Sequence, residues 1–254
     1  MTALSLINDY FDHIYVLTLK RAQDRQRSIK SGLNGFDYHF FYGIDKRSLT
    51  YEAVIRDGIY DDATHRRTKR TRRSMNLGEV ACALSHRAIY QDILDKGYEK
   101  VLILEDDVLP CRENISLFKE IIKELPEEWE LLLLGYYGEK PPTARHKLEQ
   151  RIYYLCHYLY LDNWHKVNKQ WIREICLSSY SDHLYTLGKA LGAHAYAMTA
   201  AAAEKFIHYQ TPVILQADRV FNYYKADCGL NAFAVRPKLF SLSDSSYPSY
   251  INNE

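Results

Sequence analysis

Residues 101–108 read VLILEDDV, and this octapeptide decides how the chain is understood. Val101, Leu102, Ile103 and Leu104 are apolar at every position, so a strand built from them must be covered on both faces. That is the pattern of a central strand in a parallel sheet flanked by helices. Three consecutive acids follow, Glu105, Asp106 and Asp107. They fall at the carboxyl end of the strand, the edge at which open α/β sheets bind ligands. Acids this close repel unless a counter-ion lies between them. A divalent cation such as Mn²⁺ or Mg²⁺ prefers carboxylate oxygens and commonly shares its shell with substrate phosphates.

The flanking sequence alternates strand and helix. HIYVLTL (13–19) reads as a buried strand, KRAQDRQRSIKSGL as a basic helix and YHFFYGI (38–44), ending at Asp45, as a second strand. Residues 46–75 look irregular and contain the run THRRTKRTRRS. Asn76 with Glu79 three residues later has the form of a capping box. Leu77, Val80, Ala81, Leu84 and Ala88 then mark one helical stripe, and Gly97 a stop. A helix over 114–125 and a strand at WELLLLG (129–135), ended by Gly135, come next. The rhythm breaks at about 140–186, where an aromatic, basic, helix-compatible stretch suggests an insertion or lid. It returns with GAHAYAMT, AAAEKFIHY, ADRVFNYYKAD and NAFAVRP. The expected architecture is α/β: a mostly parallel central sheet flanked by helices, one domain over 1–254, with a helical insertion around 140–186.

Composition narrows the function. The 254 residues are 47% apolar and 26% charged, with a formal net charge of +1. Such a chain folds around one sizeable core, and its bulk charge predicts no nucleic-acid partner. Acids at Asp9 and Asp12 stand where an export signal would be basic and then apolar. No apolar run approaches the roughly 20 residues of a membrane span. The five cysteines form no CxxC pair. Together these features suggest reduced thiols and a cytoplasmic location. The Arg-rich run 66–73 reads as a solvated loop or as a peripheral contact with an anionic membrane on its inner face.

Several segments, in order, resemble glycosyltransferase family 25, which includes bacterial lipooligosaccharide galactosyltransferases and the collagen galactosyltransferases. They are IYVLTLKRAQDR, NLGEVACALSHRAIYQDIL, VLILEDDV, GAHAYAMTAAAAEKF, ADRVF and NAFAVRPKLF. The resemblance implies a GT-A type, Rossmann-like fold and a metal-dependent, inverting transfer from a UDP-sugar. Galactose ranks first as the sugar and glucose second. The acceptor is a hydroxyl of a glycan or glycolipid such as lipopolysaccharide or lipooligosaccharide. It places the metal at Glu105 and Asp107, with Mn²⁺ or Mg²⁺ as the ion. It places the donor at Thr18, Arg21, Arg25, Asp45, Glu105 and Asp106. Asp218 is the first candidate for the base, with Glu79 and His86 as further catalytic candidates. Glu79 and His86 lie seven residues apart on one helical face, opposite the apolar stripe and therefore expected in solvent. His194 and Ser85 are candidate acceptor contacts. The competing reading is a catalytically silent binding module on a glycosyltransferase-like fold.

Overall fold

The computed structural model describes residues 3–68, 73–137, 143–161, 163–188, 191–243 and 251. Its centre is an eight-stranded sheet. Taken along the chain, the strands are β1 (His13–Thr18), β2 (His39–Tyr42), β3 (Lys100–Glu105), β5 (Leu131–Tyr137), β6 (Ser178–Ser179), β7 (Leu184–Thr186), β8 (Leu191–Thr199) and β9 (Ala232–Val235). A separate antiparallel pair is made by β4 (Val108–Pro110) and β10 (Phe240–Leu242). The order across the large sheet is β2-β1-β3-β8-β5-β9-β7-β6. Six strands run one way, and β8 and β7 run the other. This is the expected α/β architecture, a mostly parallel sheet between helices.

Alternation along the strands divides the core. On one face Tyr15, Val101, Ile103, Leu131, Leu133, Tyr196 and Met198 pack with Ile89, Ile93, Phe206 and Phe221. These last come from helices Leu77–Lys96, Ala200–Tyr209 and Arg219–Cys228. On the other face Ile14, Val16, Leu102, Leu104, Leu132 and Leu134 meet Ile7, Ile29, Phe118 and Ile121. Val101–Leu104 are fully buried, as an all-apolar strand between two helical layers requires.

The long helix Leu77–Lys96 shows why its ends were readable. The Asn76 side chain accepts from the Glu79 amide while the Glu79 carboxylate accepts from the Asn76 amide. Gly97 closes the helix in the left-handed region at φ 67°. Three expectations need correction. The described part of 46–75 is not irregular: it carries a 3₁₀ turn (Lys46–Ser48) and helices Tyr51–Arg56 and Asp62–Thr68. These pieces are too short for periodicity to reveal. Gly135 does not end β5. The strand continues to Tyr137 with a shift in register, and a Cβ at Gly135 would lie 2.8 Å from the Phe240 carbonyl. The glycine admits the β10 backbone. Within 140–186 the helical part comprises Ala144–Tyr158, a 3₁₀ turn (Trp164–Lys166) and Lys169–Arg173, after which the chain rejoins the sheet as β6 and β7.

Candidate active site

Because β8 runs against β1 and β3, its beginning lies beside their ends. Thr18, Glu105 and the Gly192–His194 stretch therefore gather at one sheet edge. The chain turns at Asp106 and Asp107 and leaves as β4, whose partner β10 holds the turn from outside. The Ser243 amide donates to the Asp107 carbonyl at 2.7 Å.

Asp106 is buried, and both its oxygens are taken. Thr18 Oγ1 donates to one at 2.5 Å and Arg25 Nη1 to the other at 2.7 Å. Arg25 is itself buried and also donates to Asp107 Oδ2 at 3.2 Å. Among the described residues, Arg25 is the Lys or Arg ion-paired with this three-acid cluster. Asp107 Oδ1 remains buried without a partner. Burial, and then the charge of Glu105, push the Asp107 carboxyl up to about 6. Burial also opposes charge on Glu105, but the His86 ring and the charge of Arg25 outweigh it and hold that carboxyl below its ordinary value. An orphaned carboxylate oxygen beside a second acid and a surplus of negative charge suit a divalent ion. Glu105 and Asp107 are the residues that would hold it.

Cys82 belongs to the same group. One ligand atom each from Cys82, His86 and Glu105 lies within 4.8 Å of the others. His86 is buried: its Nδ1 is 2.7 Å from the Tyr196 hydroxyl, and its Nε2, without a hydrogen bond, is 3.6 Å from Glu105 Oε1. A cavity of about 200 Å³ opens over these groups, with Arg21, Asp45, Cys82, Glu105, Asp107 and Ile251 in its walls. A larger hollow of about 1010 Å³ lies elsewhere, against Tyr51, Asp61, Asp62, Arg66, Asn163 and Lys166. It contains none of the clustered acids of the sheet edge.

The model of glycosyltransferase family 25 (LPS biosynthesis protein) matches residues 11–221. The chain belongs to glycosyltransferase family 25. A family 25 member of Aedes aegypti is 32% identical over 141 residues, which cover 50% of this chain and 21% of that protein. Procollagen galactosyltransferase 2 of Mus musculus is 26% identical over 130 residues, 49% of this chain and 21% of that one. A Bos taurus relative named "Probable inactive glycosyltransferase 25 family member 3" is 29% identical over 139 residues, 49% and 22%. The matched stretch is thus about a fifth of each relative's length. Among solved structures, apo xyloside xylosyltransferase 1 from mouse aligns at TM-score 0.42 and 10% identity over 86% of this chain and 69% of that one.

Not every residue expected at the site of this family 25 chain is brought to it. Arg21 and Asp45 pair in the cavity wall, and this pairing draws the Asp45 carboxyl below its ordinary value. Asp45 also caps the Lys46–Ser48 turn. Thr18 and Arg25 each bond Asp106 and so brace the acidic turn. Asp218 precedes helix Arg219–Cys228 but does not cap it; its carboxylate accepts from the Gly192 amide at 3.0 Å. Its charge is felt at Cys82 and His194, which puts it on the side of the acids. His194 is buried with Nδ1 unpartnered, and burial lowers its pKa, favouring the neutral ring.

The expectation that Glu79 and His86 share a solvent face fails. Helix Leu77–Lys96 is buried around most of its circumference, between the sheet and helix Ala200–Tyr209, and His86 is 1% exposed. Glu79 is held by Arg73 Nη1 and Nη2 at 2.6 and 2.7 Å, by its cap and by Gln216. Ser85 cannot meet an acceptor. It is buried, donates to the Ala81 carbonyl and accepts from the Ile44 amide. Residues 69–72 of the Arg-rich run lie outside the described residues. The sequence signal for Cys82 is its place one helical turn before His86.

Arg25 gives the first test of this geometry. Arg25→Ala leaves the buried Asp106 carboxylate without its cation, a change that typically costs about 3–5 kcal/mol. Urea denaturation should show a loss of that order. A loss near zero would mean that the ion pair does not brace the turn.

Proposed function

We propose that this protein is a divalent-metal-dependent, inverting glycosyltransferase. It moves a hexose, galactose first and glucose second, from a UDP-sugar to a hydroxyl of a lipopolysaccharide- or lipooligosaccharide-type glycan. The observation that carries the reading is the partnerless, buried Oδ1 of Asp107 beside Glu105 at the cavity over the end of β3. A bound cation there would act as a Lewis acid toward the leaving diphosphate. Thr18, Arg25 and Asp106 hold the turn so that Glu105 and Asp107 keep their positions. Arg21 supplies forked donors suited to phosphate at the rim. Asp218, fixed through the Gly192 amide, takes the proton from the acceptor hydroxyl. His194, neutral and with a free ring nitrogen, contacts the acceptor. This activity fits a cytoplasmic enzyme; among the described residues no helix is long and apolar enough to cross a membrane.

The test is a panel of UDP-sugars incubated with a glycolipid acceptor, with and without Mn²⁺, scored for UDP release and product mass. UDP-galactose with Mn²⁺ should give the highest turnover, and chelation should remove it. Undiminished transfer in chelator would end the metal assignment. The silent-module reading is favoured by one observation: some family 25 relatives are named as inactive. It predicts that UDP raises the melting temperature with every donor while none turns over.

A further inference from the structure

Helix Ala144–Tyr158 has no buried residue, yet its outward face is apolar. Leu148, Ile152 and Leu155 are 57%, 46% and 56% exposed, and Leu159, just past the helix, is 57% exposed. Spacings of four, three and four residues put them on one narrow stripe. Tyr158, Tyr160 and Leu161 prolong it, all exposed, with Tyr160 held at φ 56°. That left-handed conformation is unfavourable for a bulky residue.

The opposite face fixes the direction of the stripe. Gln150 Nε2 donates to the carbonyls of Ile172 and Arg173 at 2.9 and 2.8 Å. The His157 ring bonds the Trp164 carbonyl at 2.9 Å, and Tyr153 stacks on Trp164 at 4.0 Å. The helix is therefore docked by its polar and aromatic side, and its leucines turn away from the protein.

Cations border the stripe. Arg145, Lys147 and Arg151 are exposed, and among the described residues the ion pair in this group is that of Arg145 with Glu149. Lys169 lies over the Tyr158 ring at 4.7 Å. Across 143–173 the sequence has six Lys or Arg against two acids, in a chain of net charge +1. Leucine and isoleucine in a row, tyrosines at one end and cations alongside match a helix lying in a lipid interface. A second copy packed face to face would set Arg145, Lys147 and Arg151 near their own equivalents; an anionic surface has the opposite sign.

We propose that 144–161 is an interfacial segment that seats the protein on an anionic lipid bilayer, with Leu148, Ile152, Leu155 and Leu159 entering the headgroup–acyl boundary. This does not depend on the donor reading. Helix Ala144–Tyr158 rests on helix Lys169–Arg173, which packs on the helix that begins after Asp218. Seating would thus hold the proposed catalytic edge at a set height over the membrane.

The test is flotation of the full chain with vesicles of phosphatidylcholine and phosphatidylglycerol, and with phosphatidylcholine alone. Wild type should float with the anionic vesicles only. Leu148→Gln/Ile152→Gln/Leu155→Gln should lower partitioning roughly tenfold or more at any salt concentration, since buried apolar area sets the anchor. Arg145→Gln/Lys147→Gln/Arg151→Gln should lower it most at low salt. The altered positions are exposed, and an unchanged melting curve and UDP-induced stabilisation would show that the fold and donor site persist. The proposal is overturned if wild type does not bind, or if the leucine variant binds as wild type, which would move the contact to 66–73. It is also overturned if the stripe variant only converts a dimer to a monomer.

Discussion

Asp107→Asn should remove transfer almost completely and leave a protein at least as stable as the parent. The two effects share one cause. Among the described residues, Asp107 is confined beside Glu105 and Asp106 with Arg25 as the cation paired to it, and its Oδ1 has no hydrogen-bond donor. A site that stabilises the leaving diphosphate by several kcal/mol loses roughly a thousandfold in kcat when its direct ligand goes, at about 1.4 kcal/mol per tenfold. Without metal, the same carboxylate is a liability. Its folded-state pKa, about 6, lies above its ordinary value of 3.8. A raised carboxyl pKa means that the folded state binds the proton more tightly than the unfolded chain. Stability therefore increases as pH falls from 7 through 6 and levels off below about 4. The gain is at most about 2–3 kcal/mol and smaller after solvent screening. Asn at 107 should raise the melting temperature of metal-free protein at pH 7 by a few degrees, about 2–4 °C per kcal/mol for a chain of this size. It should also flatten that stretch of the pH–stability curve. Calorimetry of the chelated proteins between pH 5 and 7, alongside turnover with Mn²⁺, checks both halves. Near-normal turnover of Asp107→Asn would remove the ligand assignment, and an Asp107→Ala variant should agree.

The second large effect belongs to Asp218. Asparagine at this position keeps an oxygen for the Gly192 amide, so the junction between β8 and helix Arg219–Cys228 stays closed. An amide cannot accept the acceptor's proton, and loss of a general base costs roughly 10²–10⁴-fold in kcat. Asp218→Asn should show that fall with little change in donor KM and an unchanged melting temperature. Azide, which has no proton to lose, should restore turnover as an alternative nucleophile and give a glycosyl azide. A variant that is slow with azide as well would have lost donor positioning instead. A variant with parental kcat would exclude Asp218 as the base.

The residues that answered to sequence reading are those governed by local rules. VLIL is apolar without interruption and is fully buried. Asn76, Glu79 and Gly97 bounded their helix as capping chemistry requires. The acids of EDD fall at a strand end, where the uninterrupted apolar run gives way to charge. What misled was the single apolar stripe of helix Leu77–Lys96. Periodicity gives its polar face to solvent, but His86 is in the core, held by Tyr196 from a strand 110 residues away in sequence. Ser85 likewise joins the helix to the backbone at Ile44. No periodicity carries such information, because the satisfied partner of a buried polar group is set by tertiary contact.

By itself the sequence determined the α/β rhythm, the membership of family 25 and the three acids at the end of a buried strand. Hydrophobic runs, caps and motif order are properties of neighbouring residues, and they can be read along the chain. Only the tertiary structure decided that β8 runs antiparallel between β3 and β5, so that its start, with Gly192 and His194, lies at the same sheet edge as the acids and Asp218 bonds to it. It also decided that Arg25 and Thr18 bind Asp106, leaving the Asp107 oxygen over. Those choices follow from how distant segments share one core, and the energy of each pairing exists only once its partner has arrived.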